Sequence, residues 1–119
     1  MDNVKNFFEE LYENFNHRKI DLVISHMSEN VQWANGMDGG YVNGKDGVKD
    51  YWTRQFKMVS SNVTPVEIEQ NGDRVSIKVH QVVHGVDGNP LADTYTNHYF
   101  RLQGNKISEF HIGQIANNN

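Results

Sequence analysis

The sequence has no cysteine, only two prolines, and no apolar run longer than a few residues. Without cysteine it can form neither disulfides nor thiolate metal sites. Stretches such as Leu22-Val23-Ile24 fall far short of the ~20 apolar residues that span a bilayer, so no membrane partner is expected. Basic charge is also in short supply: 11 Lys and Arg stand against 15 Asp and Glu, for a net charge of −4. The longest basic cluster is His17-Arg18-Lys19, which leaves no electrostatic footprint for nucleic acid. Met1-Asp2-Asn3-Val4-Lys5 lacks the basic segment and apolar stretch of a secretory signal, and a cytoplasmic location is the expectation. Metal-binding spacings are missing as well. No HxH or HExxH occurs, and His80 and His84 lie about 13 Å apart along a strand, too far to chelate one ion. Neither a metal nor another cofactor is expected.

What is present suits one domain. A chain of 119 residues can bury roughly two-thirds of its unfolded surface in a single core. Val4, Phe7, Phe8, Leu11, Tyr12 and Phe15 recur at the spacing of one helical face, with Glu9, Glu10, Glu13 and Asn14 opposite. Ile20, Val23, Ile24 and Met27 repeat the pattern more briefly and predict a second helix, stopped by Ser28-Glu29-Asn30. Val31 and Trp33 then alternate with Gln32 in a strand. The glycine-rich turn from Asn35 to Gly40 leads to a short Tyr41-Val42 extension. Val48, Tyr51, Trp52, Gln55, Phe56 and Val59 mark a third helix, closed by Ser60-Ser61-Asn62. Beyond Pro65 the period changes to two. Asn71-Gly72, the turn around Gly88 and Gln103-Gly104-Asn105 separate four strands, 66–70, 74–84, 92–102 and 106–115, that form a meander. The predicted fold is α+β, with N-terminal helices packed on a curved antiparallel sheet around a pocket. Residues 1–116 form the domain, and Asn117-Asn118-Asn119 is a tail with nothing to bury.

Hairpins centred near residues 88 and 104 place even-numbered residues of the last three strands on one face. That face would carry His80, Val82, His84, Thr94, Thr96, His98, Phe100, Leu102, Ser108, Phe110, Ile112 and Gln114. The mixture of apolar and polar groups suits a ligand-pocket wall. The odd face, with Val75, Ile77, Val79, Val83, Tyr95 and Tyr99, is then too apolar for a solvated surface. Either a bulge near Gln81-Val82-Val83 switches the facing, or a second copy of the chain covers that surface. A homodimer through the outer face is the preferred expectation.

Several motifs carry a family likeness: Tyr12-Glu13-Asn14-Phe15-Asn16 leading to Ile20-Asp21, then Met27-Ser28-Glu29-Asn30-Val31-Gln32-Trp33. Gly44-Lys45-Asp46-Gly47-Val48 with Tyr51-Trp52, and Asn97-His98-Tyr99-Phe100-Arg101-Leu102 with Gly104-Asn105-Lys106-Ile107, extend it. Together they resemble the nuclear transport factor 2-like superfamily, and within it the SnoaL-like and ketosteroid isomerase-like proteins. The resemblance implies a cone-shaped fold and one SnoaL-like domain. It leaves the reaction open, because members include isomerases, polyketide cyclases, hydrolases, dehydratases and non-enzymatic adaptors. Ketosteroid isomerases use a carboxylate base with a tyrosine and a protonated aspartic acid at the oxyanion. The matching positions here are Asn35, Leu11 (beside Tyr12) and His98. Asn35 cannot act as that base, which argues against ketosteroid isomerase activity, and Asp38 substitutes only if the glycine-rich turn curls inward.

The candidate catalytic residues are therefore His98, whose imidazole can exchange protons near neutrality, aided by His80 or Asn35. A core histidine that is only hydrogen-bonded is the competing interpretation of His98. Tyr12, Phe15, Trp33, Trp52, Phe56, His84, Phe100, Phe110 and Gln114 are the candidate ligand contacts, although aromatics at these spacings are more often plain core. The functional expectation is a pocket for a small, mostly apolar molecule, with cofactor-independent isomerase, cyclase or dehydratase chemistry. A non-catalytic ligand-binding domain or a dimeric adaptor is the alternative.

Overall fold

The first helical pattern forms α1, Val4–Asn16, which buries Phe8, Leu11 and Tyr12. The computed structural model describes residues 4–35 and 39–113, so Asp38 and Gln114 lie outside the described residues. The second helix, α2, covers only Ile20–Ile24. Ser28-Glu29-Asn30 does not stop it, because those residues already belong to strand β1, Met27–Ala34, whose buried positions are Met27, Val31, Trp33 and Ala34. The short strand β2, Tyr41–Asn43, pairs antiparallel with β1. Gly44 then opens α3, Gly44–Met58, at a φ of 80°. That is a conformation glycine takes without the Cβ penalty. Val48, Tyr51 and Trp52 are the buried face of α3.

Four strands follow: β3 (Val59–Asn71), β4 (Arg74–Gly85), β5 (Pro90–Gln103) and β6 (Lys106–Gly113). They form the expected antiparallel meander, and β1 adds to β6 in parallel, giving a six-stranded mixed sheet in the order β2-β1-β6-β5-β4-β3. The sheet is not closed into a barrel. β3 begins seven residues before the predicted start, running through Ser60-Ser61-Asn62 and Pro65. Proline is tolerated there because β3 is an edge strand, where a missing N–H breaks no ladder on the open side. Among the described residues no helix is long and apolar enough to cross a membrane.

The face assignment of β4 is corrected. At the hairpin end His84 opposes Pro90, which is the expected even-to-even pairing, but Val83 opposes Ala92. Leu91 is thus an extra residue, and this one-residue bulge moves every later pair by one position. From there on, Val79 opposes Thr96 and Ile77 opposes His98. The inner face therefore consists of odd residues of β4 and even residues of β5. A second bulge, at Ser108, leaves Phe110 opposite Phe100 and Ile112 opposite His98, so the even face of β6 points inward. Val75, Ile77 and Val79 are buried in the core. The apolar surface that suggested a homodimer is thereby accounted for within one chain, and the outer face retains His80, Asp93, Tyr95, Tyr99, Arg101 and Glu109.

Helix α1 is tied to the edge strand by polar side chains. The Asn16 side chain donates to the Val63 carbonyl at 2.9 Å and accepts from the Val63 amide at 2.8 Å, as a neighbouring strand would. Arg18, at a φ of 62°, donates to the carbonyls of Phe15 and Ser61. Its guanidinium lies 4.3 Å from the centre of the Phe56 ring. These contacts hold α1 and β3 together on one side of a cavity.

Candidate active site

Between the helices and the inner face of the sheet lies a cavity of about 420 Å³. Helix α1 contributes Leu11, Tyr12 and Phe15, α3 contributes Tyr51, Trp52 and Gln55, and β1 contributes Trp33. Most of the remaining wall comes from the meander, including Ser61 and Val63 of β3, Gln81 and Val83 of β4, Thr94, Thr96, His98 and Phe100 of β5, and Phe110 and Ile112 of β6. Aromatic contacts make the wall continuous. Trp33 stacks on Phe110 at 4.2 Å and meets Trp52 edge-on at 5.2 Å, while Phe15 meets Trp52 at 5.2 Å.

At the buried end sits a polar pair. Tyr12 Oη and His98 Nδ1 are 2.7 Å apart in a hydrogen bond. Their rings are nearly parallel, and Phe110 presents an edge to the imidazole at 4.8 Å. His98 is 7% exposed. Burial alone lowers its pKa from 6.5 to about 4, and burial raises that of the Tyr12 phenol well above its ordinary value. Both effects have one cause, the cost of a charge away from water. The pair is therefore neutral across the physiological range. Two arrangements of protons satisfy the 2.7 Å contact. Either the phenol donates to Nδ1 and Nε2 carries the imidazole proton, or Nδ1–H donates to the phenol oxygen and Nε2 offers a lone pair. Among the described residues, Nε2 of His98 has no hydrogen-bond partner.

No Asp, Glu, Lys or Arg belongs to the described lining. Among the described residues there is also no group of three or more His, Asp or Glu able to hold a metal ion.

Of the sequence-predicted residues, the structure brings His98, Tyr12, Phe15, Trp33, Trp52, Phe100 and Phe110 to the cavity wall. Phe56 stands behind it, packed on Phe15 at 5.4 Å. His80 and His84 are placed elsewhere, because the Leu91 bulge turns even residues of β4 to the outer face. There His80 Nε2 donates to Asp93 and the ring stacks on Tyr95 at 4.9 Å. Asn35 follows β1 outside the lining, where its backbone amide donates to the Gly40 carbonyl. Ser61, Gln81 and Tyr51 line the cavity without having been singled out from the sequence. The signal for Gln81 was its place in an otherwise apolar odd register, Val75, Ile77, Val79 and Val83, which in hindsight marks an inward face.

A family model described as the SnoaL-like domain matches residues 8–110. No curated protein matches the sequence. Solved structures share the fold. An NTF2-like protein of unknown function from Burkholderia pseudomallei superimposes with a TM-score of 0.84 at 23% identity, covering 96% of this chain and 92% of the other. TerC, co-crystallised with polyporic acid, gives a TM-score of 0.82 at 22% identity, with 96% and 92% covered. SalBIII, an epoxide hydrolase/cyclase-like enzyme with a role in pyran ring formation in the polyether salinomycin, gives 0.78 at 14% identity, with 92% and 88% covered.

Proposed function

The chain belongs to the SnoaL-like domain family, and on that premise we propose that it is a cofactor-independent enzyme moving protons on a small, neutral, mostly apolar molecule. Isomerisation, cyclisation and dehydration all belong to this reaction class, and the ring formation associated with SalBIII supports cyclisation among them. The observation that carries the proposal is the hydrogen bond between Tyr12 Oη and His98 Nδ1 at the closed end of an apolar cavity.

Neither member is a good acid or base alone, since imidazolium and phenolate are both disfavoured by burial. As a pair they avoid forming either ion. Starting with the proton on Nδ1, Nε2 takes a proton from one atom of the substrate while the phenol gives its proton to another. The Nδ1 proton passes to the phenol oxygen in the same event. The substrate loses one proton and gains one, and the pair ends as a neutral tyrosine and a neutral histidine protonated on Nε2. Such bifunctional transfer supplies the general acid and base that a missing carboxylate would otherwise provide. The aromatic wall holds the substrate and excludes water.

A direct test is hydrogen exchange at the α-carbon of α-tetralone, a neutral bicyclic ketone, in deuterated buffer near neutral pH, followed by NMR. Wild type should exchange above the buffer rate. His98→Phe should lose roughly 100-fold or more of that excess, and Tyr12→Phe should lose most of it. Binding of the ketone with no exchange above buffer would leave a ligand-binding domain in place of an enzyme.

A further inference from the structure

The cavity holds a second polar region that the Tyr12 and His98 chemistry does not use. Along the inner face of β5, burial falls from His98 through Thr96 to exposed Thr94. Four residues of strand separate His98 from Thr94, about 13 Å at the usual rise. Thr94 opposes Gln81 on β4, and Gln81 opposes Val63 on β3, two residues from Ser61. The Gln81 amide Nε2 donates to Ser61 Oγ at 3.1 Å.

Ser61 is only 2% exposed. Among the described residues no hydrogen bond takes up its hydroxyl proton, the side-chain carbonyl of Gln81 or the hydroxyl of Thr94. A buried hydroxyl left without an acceptor is costly, so its persistence beside a cavity points to a ligand atom. Between this cluster and His98 on the inner face lie Val79 of β4 and Thr96 of β5, and the Thr96 hydroxyl already donates to the Gly113 carbonyl at 2.6 Å, so no free polar group interrupts that stretch.

We infer that Ser61, Gln81 and Thr94 form a distal subsite for a neutral hydroxyl, and that the ligand is an elongated, ring-bearing apolar molecule with an oxygen group at each end. A hydroxyl fits both halves of the cluster: it donates to the Gln81 carbonyl and accepts from Ser61 or Thr94. A carboxylate would face the Gln81 carbonyl with no cation in the described lining to offset its charge. The assignment rests on His98 and Tyr12 being the reacting end.

Two symmetric probes remove any ambiguity of orientation: unsubstituted biphenyl, and biphenyl with a hydroxyl at each para end. Their affinities are read by titrating the fluorescence of Trp33 and Trp52, which line the cavity. The dihydroxy probe should bind wild type more tightly than biphenyl. Gln81→Leu should weaken it roughly threefold to tenfold and leave biphenyl unchanged, with Thr94→Val acting in the same direction. His98→Phe should weaken the dihydroxy probe independently. If Gln81→Leu and Thr94→Val leave that probe unaffected, the distal subsite is overturned, whatever His98→Phe does. If only His98→Phe is silent, the subsite stands and the reading of His98 falls. Failure of both probes to bind wild type overturns both. Should Gln81→Leu not fold, Ser61→Ala, which removes a hydroxyl proton without an acceptor, takes its place beside the exposed Thr94→Val.

Discussion

His98 ties the stability of the protein to pH in a direction set by its burial. In the unfolded chain the imidazole takes up a proton near pH 6.5, whereas in the folded protein it does so only near pH 4. Between these values the unfolded state binds more protons. The His98 contribution is therefore fully present above pH 6.5, is lost as pH falls toward 4 by about 3 kcal/mol, and is constant below. Urea unfolding of wild type and His98→Phe at pH 7, 5.5 and 4 should show the wild type losing that much more stability than the variant. A second expectation separates stability from function. Phenylalanine at 98 fits among Phe100, Phe110 and Tyr12 but leaves the buried Tyr12 hydroxyl without its partner, so at pH 7 the variant should fold cooperatively at a cost of about 1 to 3 kcal/mol while losing exchange activity. Equal pH slopes would mean that His98 is hydrated in solution. The position of His98 was legible from β5, whose alternation with Phe100 and Leu102 marks an inward face. Its partner was not, because Tyr12 lies 86 positions away and their meeting depends on how α1 docks.

At the scale of elements, two small features decide which side chains reach the site. The first is the bulge at Leu91. Deleting Leu91 lets the Val83 and Ala92 pair follow the His84 and Pro90 pair directly, so every later pair is kept and Ile77 and Val79, both fully buried, stay inward. The deletion variant should keep a cooperative thermal melt by circular dichroism. Loss of that melt would show that the extra residue itself, and not the pairing beyond it, holds the register. Hydrophobic alternation located β4 and β5 correctly, but a single inserted residue has no signature of its own in such a pattern, which is why His80 and His84 read as pocket residues. The second feature is Asn16, whose side chain stands in for a strand beside Val63. Asn16→Ala leaves a buried N–H and C=O without partners and should cost about 1 to 3 kcal/mol. The Val63 amide should also exchange with deuterium faster than in wild type. Ser60-Ser61-Asn62 read as a helix stop for a related reason: polar residues on an edge strand, with Ser60 and Asn62 facing solvent, look like a loop.

The whole molecule carries a net charge of −4, yet none of that charge enters the described lining of the cavity. The ion pairs of Arg101 with Asp73 and Glu109 lie on the outer face of the sheet, and those of Lys49 with Asp21 and Arg54 with Asp50 lie on exposed helix surfaces. The order of helices and strands, and the presence of one aromatic pocket, followed from periodicity and turn residues, because those patterns are local. The absence of charge from the described lining did not, because it depends on which charged residues stay outside. It has a consequence for ligand choice. A charged ligand entering this cavity would lose hydration without gaining a counter-charge, at a cost of several kcal/mol per ion. 2-Naphthol and 2-naphthoate share a ring skeleton, but at pH 7 the first is neutral and the second an anion. Titration calorimetry should find the naphthol bound at least about 100-fold more tightly, equivalent to roughly 2.7 kcal/mol. The naphthoate should gain affinity as the pH is lowered toward its own pKa, because protonation makes it neutral while His98 stays uncharged down to about pH 4. Comparable affinities at pH 7 would require a cation at the cavity, and the neutral relay between Tyr12 and His98 would then lose its physical basis.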